Sequence, residues 1–200
     1  MVDLREVKRM VEGISKNSTN ESRILVTVNI LRNNPDIIRN SSAFEMFLPV
    51  FGYLNYISDR ADGDEIREIF KKHKPPLSVF TKNLLSYNTK QNSNFYTIVL
   101  LITDYISDEF FLDIFSSSPK IRNFMLQYSY FGFINRLSYD IMKKSGLTDT
   151  QIKSALVSKN YNGYRLSSEK SFDILSQIRD KSVLKEIAYE IPSFICNEDK

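Results

Sequence analysis

The stretch from Asp104 to Lys144 constrains the chain most. It joins a short apolar helix, a Ser-Ser-Ser-Pro break and a longer helical run whose middle is crowded with Tyr128, Tyr130, Phe131, Phe133 and Tyr139. Pieces of it recur. Phe131-Gly132-Phe133-Ile134-Asn135 echoes Phe51-Gly52-Tyr53-Leu54-Asn55, and Tyr105-Ile106-Ser107-Asp108 repeats Tyr56-Ile57-Ser58-Asp59. Pro119-Lys120-Ile121-Arg122-Asn123 echoes Pro35-Asp36-Ile37-Ile38-Arg39-Asn40 with one residue inserted. An acidic or amide residue before two apolar ones recurs at Asn29-Ile30-Leu31, Glu68-Ile69-Phe70, Asp113-Ile114-Phe115 and Asp173-Ile174-Leu175. The stretch therefore reads as one complete copy of a degenerate repeat.

The rest of the chain is helical in pattern. Leu4, Val7, Val11 and Ile14 step by three and four, which gives a first helix with one apolar stripe. Asn17 to Asn20 stop it and cap a second helix that is apolar nearly all round, as a helix buried between neighbours is. Ser42-Ala43-Phe44-Glu45 and Thr148-Asp149-Thr150-Gln151 match the capping box, in which two side chains satisfy reciprocal backbone N–H groups. Asp62 to Glu65 reads as a turn before a short helix from Ile66 to Lys72. Ser118-Pro119 opens the long helix to Lys144, with Gly146 as its C′ residue. Gly52 and Gly132 then fall inside helices, where glycine costs about 1 kcal/mol against alanine unless a neighbouring backbone comes close. The last helix, from Val183, stops before Pro192. The expected class is all-α, with about ten helices and at most one small hairpin at Asn162-Gly163.

The alternation of short and long helices, with prolines at their starts, resembles armadillo or HEAT repeats, whose period is roughly 40 residues. The resemblance implies an irregular α-solenoid. It spans Glu21 to Lys144, with a divergent pair from Ser168 to Ile191, and lacks the tryptophan and alanine signature of those repeats. A compact irregular helical domain is the alternative. Residues 1–146 are expected to form the repeat-like core, with 147–200 packed on it as part of one continuous domain.

Composition narrows function. An apolar share of 42% suits a folded chain, and a net charge of +3 is far from that of a dedicated nucleic-acid binder. The single cysteine, Cys196, allows no internal disulfide and fits a cytoplasmic protein. The N-terminus is charged and amphipathic rather than signal-like, and no apolar run is long enough to span a bilayer. His73, the one histidine, sits among Lys71, Lys72 and Lys74, which disfavour its protonation and repel a metal ion. All six glycines are isolated, so there is no phosphate-cradling loop. No catalytic constellation, metal site or cofactor site emerges, and an enzyme is not expected.

Two functions remain. The first is a non-enzymatic interaction or adaptor module that holds a segment of a protein partner along a helical groove. Tyr128 and Tyr139, eleven residues apart on one helix face, are its candidate hot spots. Asp104 and Asp108, one helical turn apart in a stretch without lysine or arginine, are its candidate acidic ridge. The alternative is nucleic-acid binding by the basic C-terminal part, through Lys153, Lys159, Tyr161, Tyr164, Arg165 and Lys170. Oligomeric state is not legible.

Overall fold

The computed structural model describes residues 2–56, 60–87, 94–128, 131–157 and 168–195, with the backbone alone at 60–62, 168–169 and 190–195. Every regular element among these residues is helical: α1 (Leu4–Ser15), α2 (Asn20–Asn33), α3 (Asp36–Arg39), α4 (Ser41–Phe51), α5 (Arg60–Lys72), α6 (Leu77–Leu85), α7 (Phe95–Leu100), α8 (Asp108–Ser116), α9 (Pro119–Gln127), α10 (Tyr139–Lys144), α11 (Asp149–Val157), α12 (Ser168–Leu175) and α13 (Lys181–Ile195). The all-α expectation holds. The Asn162-Gly163 hairpin lies outside the described residues. By its internal contacts the chain divides into two units, Met1–Ser117 and Ser118–Lys200. The division falls at the Ser-Ser-Ser-Pro break, not at Gly146.

The first unit is gathered around α4, which packs against α1, α3, α6 and α7. Its buried face carries Phe44, Phe47, Leu48 and Phe51, all fully enclosed. The Phe44 ring lies 5.5 Å from Phe51, 6.1 Å from Phe70 and 5.8 Å from Phe80, in tilted, edge-on and stacked contacts. Asn40 caps α4 by accepting from the Ala43 amide. Ser42 is therefore inside the helix, and the capping box expected at Ser42–Glu45 does not form; Glu45 pairs with Lys82 instead. Two further expectations change. The Asp62–Glu65 stretch is part of α5, not a turn before it. Helix α2 is buried on one side only, through Ile24, Thr27, Val28 and Leu31, and leaves Leu25 exposed.

Helix α7 does not run on as an α-helix to Ser107. From Leu101 to Tyr105 it widens into a π-helical turn. The Thr103 hydroxyl donates to the Val99 and Leu100 carbonyls at 3.1 and 3.2 Å, and the Ile106 amide donates to Leu101, one residue further back than an α-helix would use.

In the second unit α11 contacts α10, α12 and α13. Ile121, Met125, Phe133, Met142, Ile152 and Ile174 fill its core. The long helix expected from Pro119 to Lys144 is broken. α9 ends at Gln127, a 3₁₀ turn runs from Phe133 to Arg136, and Ser138 caps α10 by accepting from the Ile141 amide. Gly132 enters the 3₁₀ turn with φ of 90°, in the left-handed region. Its role is backbone freedom, not the mid-helix close approach expected of it. Gly52 ends α4 with φ of −59° and leads into a 3₁₀ turn at Gly52–Tyr56. The Phe-Gly echo thus marks two 3₁₀ turns entered through different backbone conformations. Pro192 does not stop the last helix, because α13 continues to Ile195.

Candidate functional site

The second unit carries a groove between α9 and α11, and each wall follows from local sequence. Ser118 accepts from the Ile121 amide at 3.2 Å and Pro119 takes the first helical position, so α9 begins at a defined point. Gly146, with φ of 88°, ends α10 in a full Schellman motif: its amide donates to Lys143, and the Leu147 amide donates to Met142. Thr148 and Gln151 then form the complete capping box, with the Thr148 amide donating to Gln151 Oε1 at 2.9 Å and the Gln151 amide donating to Thr148 Oγ1 at 3.2 Å. A stop signal followed directly by a start signal bends the chain sharply, so α11 returns beside α9.

Arg122 ties the α9 wall to the corner that leads into α11. One turn into α9, its Nη1 donates to the Ser145 carbonyl at the C-terminal end of α10, at 2.6 Å, where a cation meets the negative end of the helix dipole. The groove between α9 and α11 encloses about 470 Å³. Leu126 and Leu147 form its floor, with Ala155 beside them, and Asn123, Thr150, Gln151 and Ser154 stand exposed on its rim. Asn123, Thr150 and Ser154 have no side-chain hydrogen bond among the described residues.

Next to the groove, Asp149 holds three elements together. Its Oδ1 accepts from the Tyr139 hydroxyl and from Lys143 Nζ, each at 2.9 Å, and its Oδ2 accepts from the Asp180 amide at 3.3 Å. Burial pushes the Asp149 carboxyl up, but hydrogen bonds from Lys143, Tyr139 and the Asp180 backbone outweigh it and leave its pKa below the usual value. Burial and the bond to Asp149 raise the Tyr139 hydroxyl, and the bond to Asp149 raises Lys143.

The residues picked from sequence scatter. Tyr128 and Tyr139 do not share a helix face: Tyr128 follows the last residue of α9, its ring tilted against Phe124 with centroids 4.6 Å apart, and Tyr139 opens α10. Asp104 and Asp108 are both exposed but belong to different helices, Asp104 in the π-helical turn and Asp108 in the first turn of α8. Their stretch is not a bare acidic ridge. Arg67 Nε donates to the Asp104 carbonyl at 2.7 Å, and Lys74 Nζ lies 3.8 Å from Asp113. Lys153 is turned inward, 9% exposed, with its ammonium 2.7 Å from Glu186 of α13. Lys170 is half-buried on α12. Lys159, Tyr161, Tyr164, Arg165 and Cys196 lie outside the described residues. Among those described, no three His, Cys, Asp or Glu side chains converge as metal ligands, and no helix is long and apolar enough to cross a membrane.

Sequence reasoning missed the groove. Its corner was legible in Gly146 and the Thr148–Gln151 box; the Arg122–Ser145 bond, between residues far apart in the chain, was not. Compared with protein-family models, curated proteins and solved structures, the chain matches none.

Proposed function

We propose that the protein is a non-enzymatic, helical-repeat interaction module of the cytoplasm, and that the groove between α9 and α11 holds a segment of its protein partner. The single observation that carries this reading is the groove's chemistry. An apolar floor of Leu126, Leu147 and Ala155 lies under a rim of amides and hydroxyls, the arrangement that buries an apolar anchor while its backbone is hydrogen-bonded at the edges. The segment that fits is uncharged. Arg122 is the one charged residue in the lining, and its guanidinium already donates to Ser145, so an ionised side chain would lose its hydration for little return. The armadillo or HEAT-like reading agrees with a groove between stacked short helices, although fold likeness constrains function only loosely.

The test is site-specific crosslinking. A photoreactive residue at Ser154, on the rim, is expected to capture a discrete partner from the source cell. The same residue at exposed Glu21 in α2 should not. Ala155→Trp, which fills the groove, should abolish the Ser154 adduct while the melting temperature stays near that of the parent. A Ser154 adduct indifferent to Ala155→Trp, or reproduced at Glu21, would remove the groove from the reading.

A further inference from the structure

A pair of residues in the first unit points to a second binding site. His73, the only histidine in the chain, follows α5 and is half-buried. Its Nδ1 lies 2.8 Å from Nη2 of Arg39, the last residue of α3. A guanidinium can only donate, so the contact requires a neutral imidazole with its lone pair on Nδ1 and its proton on Nε2. Burial first, then Arg39 and Lys72, hold the His73 pKa below its usual value, and Asp36 opposes them.

The charges around this corner sort into matched and unmatched. Lys71 lies 3.6 Å from Glu68, and Lys74 lies 3.8 Å from Asp113. Asp36 stands 3.9 Å from Arg39, beyond hydrogen-bond length, and both side chains are mostly exposed. Lys72 has no partner among the described residues. Once His73 takes a proton, it, Arg39 and Lys72, which adjoins His73 in the chain and bears on its charge, outnumber the single carboxylate of Asp36. The net charge of two positives is that of a phosphate dianion with its sign reversed. A carboxylate would cancel only half of it.

We propose that Arg39, Lys72 and His73 form a binding site for a phosphate dianion, free or as a phosphomonoester. Binding brings one proton from solvent onto Nδ1, which turns from acceptor to donor. The same event frees Arg39 Nη2 from the imidazole, so guanidinium, imidazolium and ammonium can all donate to one tetrahedral anion. By linkage, affinity falls as rising pH strips the proton from His73.

The single histidine makes the test direct. The imidazole Cε1–H resonance of the full chain is followed by NMR from about pH 5.5 to 8.5, the range where histidine titrates. Inorganic phosphate and O-phosphoserine are expected to raise the titration midpoint in a saturable way, while chloride and acetate at equal ionic strength barely move it. Arg39→Gln and Lys72→Gln, both at exposed positions, should keep the melting temperature and lose the saturable shift. A shift with inorganic phosphate alone keeps the site and assigns it to the free ion. A midpoint that stays put, moves equally with chloride, or still moves saturably in both variants overturns the proposal. None of these outcomes depends on the groove, which belongs to the other unit.

Discussion

The Arg122 guanidinium donates through Nη1 to the Ser145 carbonyl at 2.6 Å, and so ties the start of α9 to the end of α10. The bond closes the corner on which the groove depends, and it has a cost built in: the Nε of the same side chain is buried without a partner. A hydrogen bond from a charged group is worth about 1.5–3 kcal/mol, whereas an unsatisfied buried donor costs about 1–3 kcal/mol. Replacing Arg122 with Met removes both.

The expected net loss for Arg122→Met is therefore small, about 1 kcal/mol. Urea denaturation followed by circular dichroism measures it. A variant more stable than the parent would show that the orphaned Nε outweighs the bond to Ser145.

Three glycines should respond to alanine in opposite ways. Gly52 has φ of −59°, and an added Cβ would sit 3.6 Å from Thr97 Oγ1, an ordinary contact, so Gly52→Ala is expected to be neutral or to stabilise by about 0.5 kcal/mol. Gly132 and Gly146, at φ of 90° and 88°, should each lose about 1–2 kcal/mol, because a Cβ is strained in the left-handed region. At Gly146 nothing lies within 4 Å of the new Cβ, so its loss would report backbone strain alone. Equal melting temperatures for all three variants would contradict this.

Asp149 links stability to pH at both ends of the scale. Its carboxyl is held below the usual 3.8, so its contribution is complete above that pH and is lost as pH falls further through the folded value. Asp180, lowered by bonds from the Ser182 side chain and the backbone of Ser182 and Val183, acts in the same direction. Tyr139 and Lys143 are raised above 10.0 and 10.5, so their contribution is complete below those values and is lost as pH rises past them. Asp149→Asn should flatten both limbs of the stability profile, and Tyr139→Phe should change the alkaline limb more than the acid one. Parallel profiles for the parent and Asp149→Asn would show that the carboxylate carries no such linkage.

Phe44 is the central ring of the first unit's core, in contact with Phe51, Phe70 and Phe80. Phe44→Ala is expected to cost about 3–5 kcal/mol, and Phe44→Leu much less, because leucine refills most of the cavity. Guanidinium denaturation of the two variants checks the ordering. A loss below about 1 kcal/mol for Phe44→Ala would mean the core collapses onto the vacancy.

What the sequence determined on its own was local. The class, most helix starts, and the Schellman stop and capping box around Gly146 and Thr148 depend on apolar periodicity, on side-chain caps and on a well-placed glycine, all within about five residues of chain, so their spacing is visible in the sequence. Where a rival cap stood nearby, as Asn40 did beside Ser42, even that local choice was ambiguous, because each side chain could accept from an amide of the same turn. The break between α9 and α10 also escaped the sequence: its aromatic run keeps helical spacing, yet the backbone has left the helix at Tyr128 and enters the 3₁₀ turn through Gly132 in the left-handed region. The tertiary structure decided the rest. It set Arg122 on Ser145 and Arg39 on His73, turned Lys153 inward to Glu186, and brought Arg67 and Lys74 from α5 and its end to an acidic stretch that looked unopposed. These contacts join residues 23 or more positions apart. Such pairs are fixed by how helices pack, and packing depends on the shapes of whole faces rather than on any spacing along the chain.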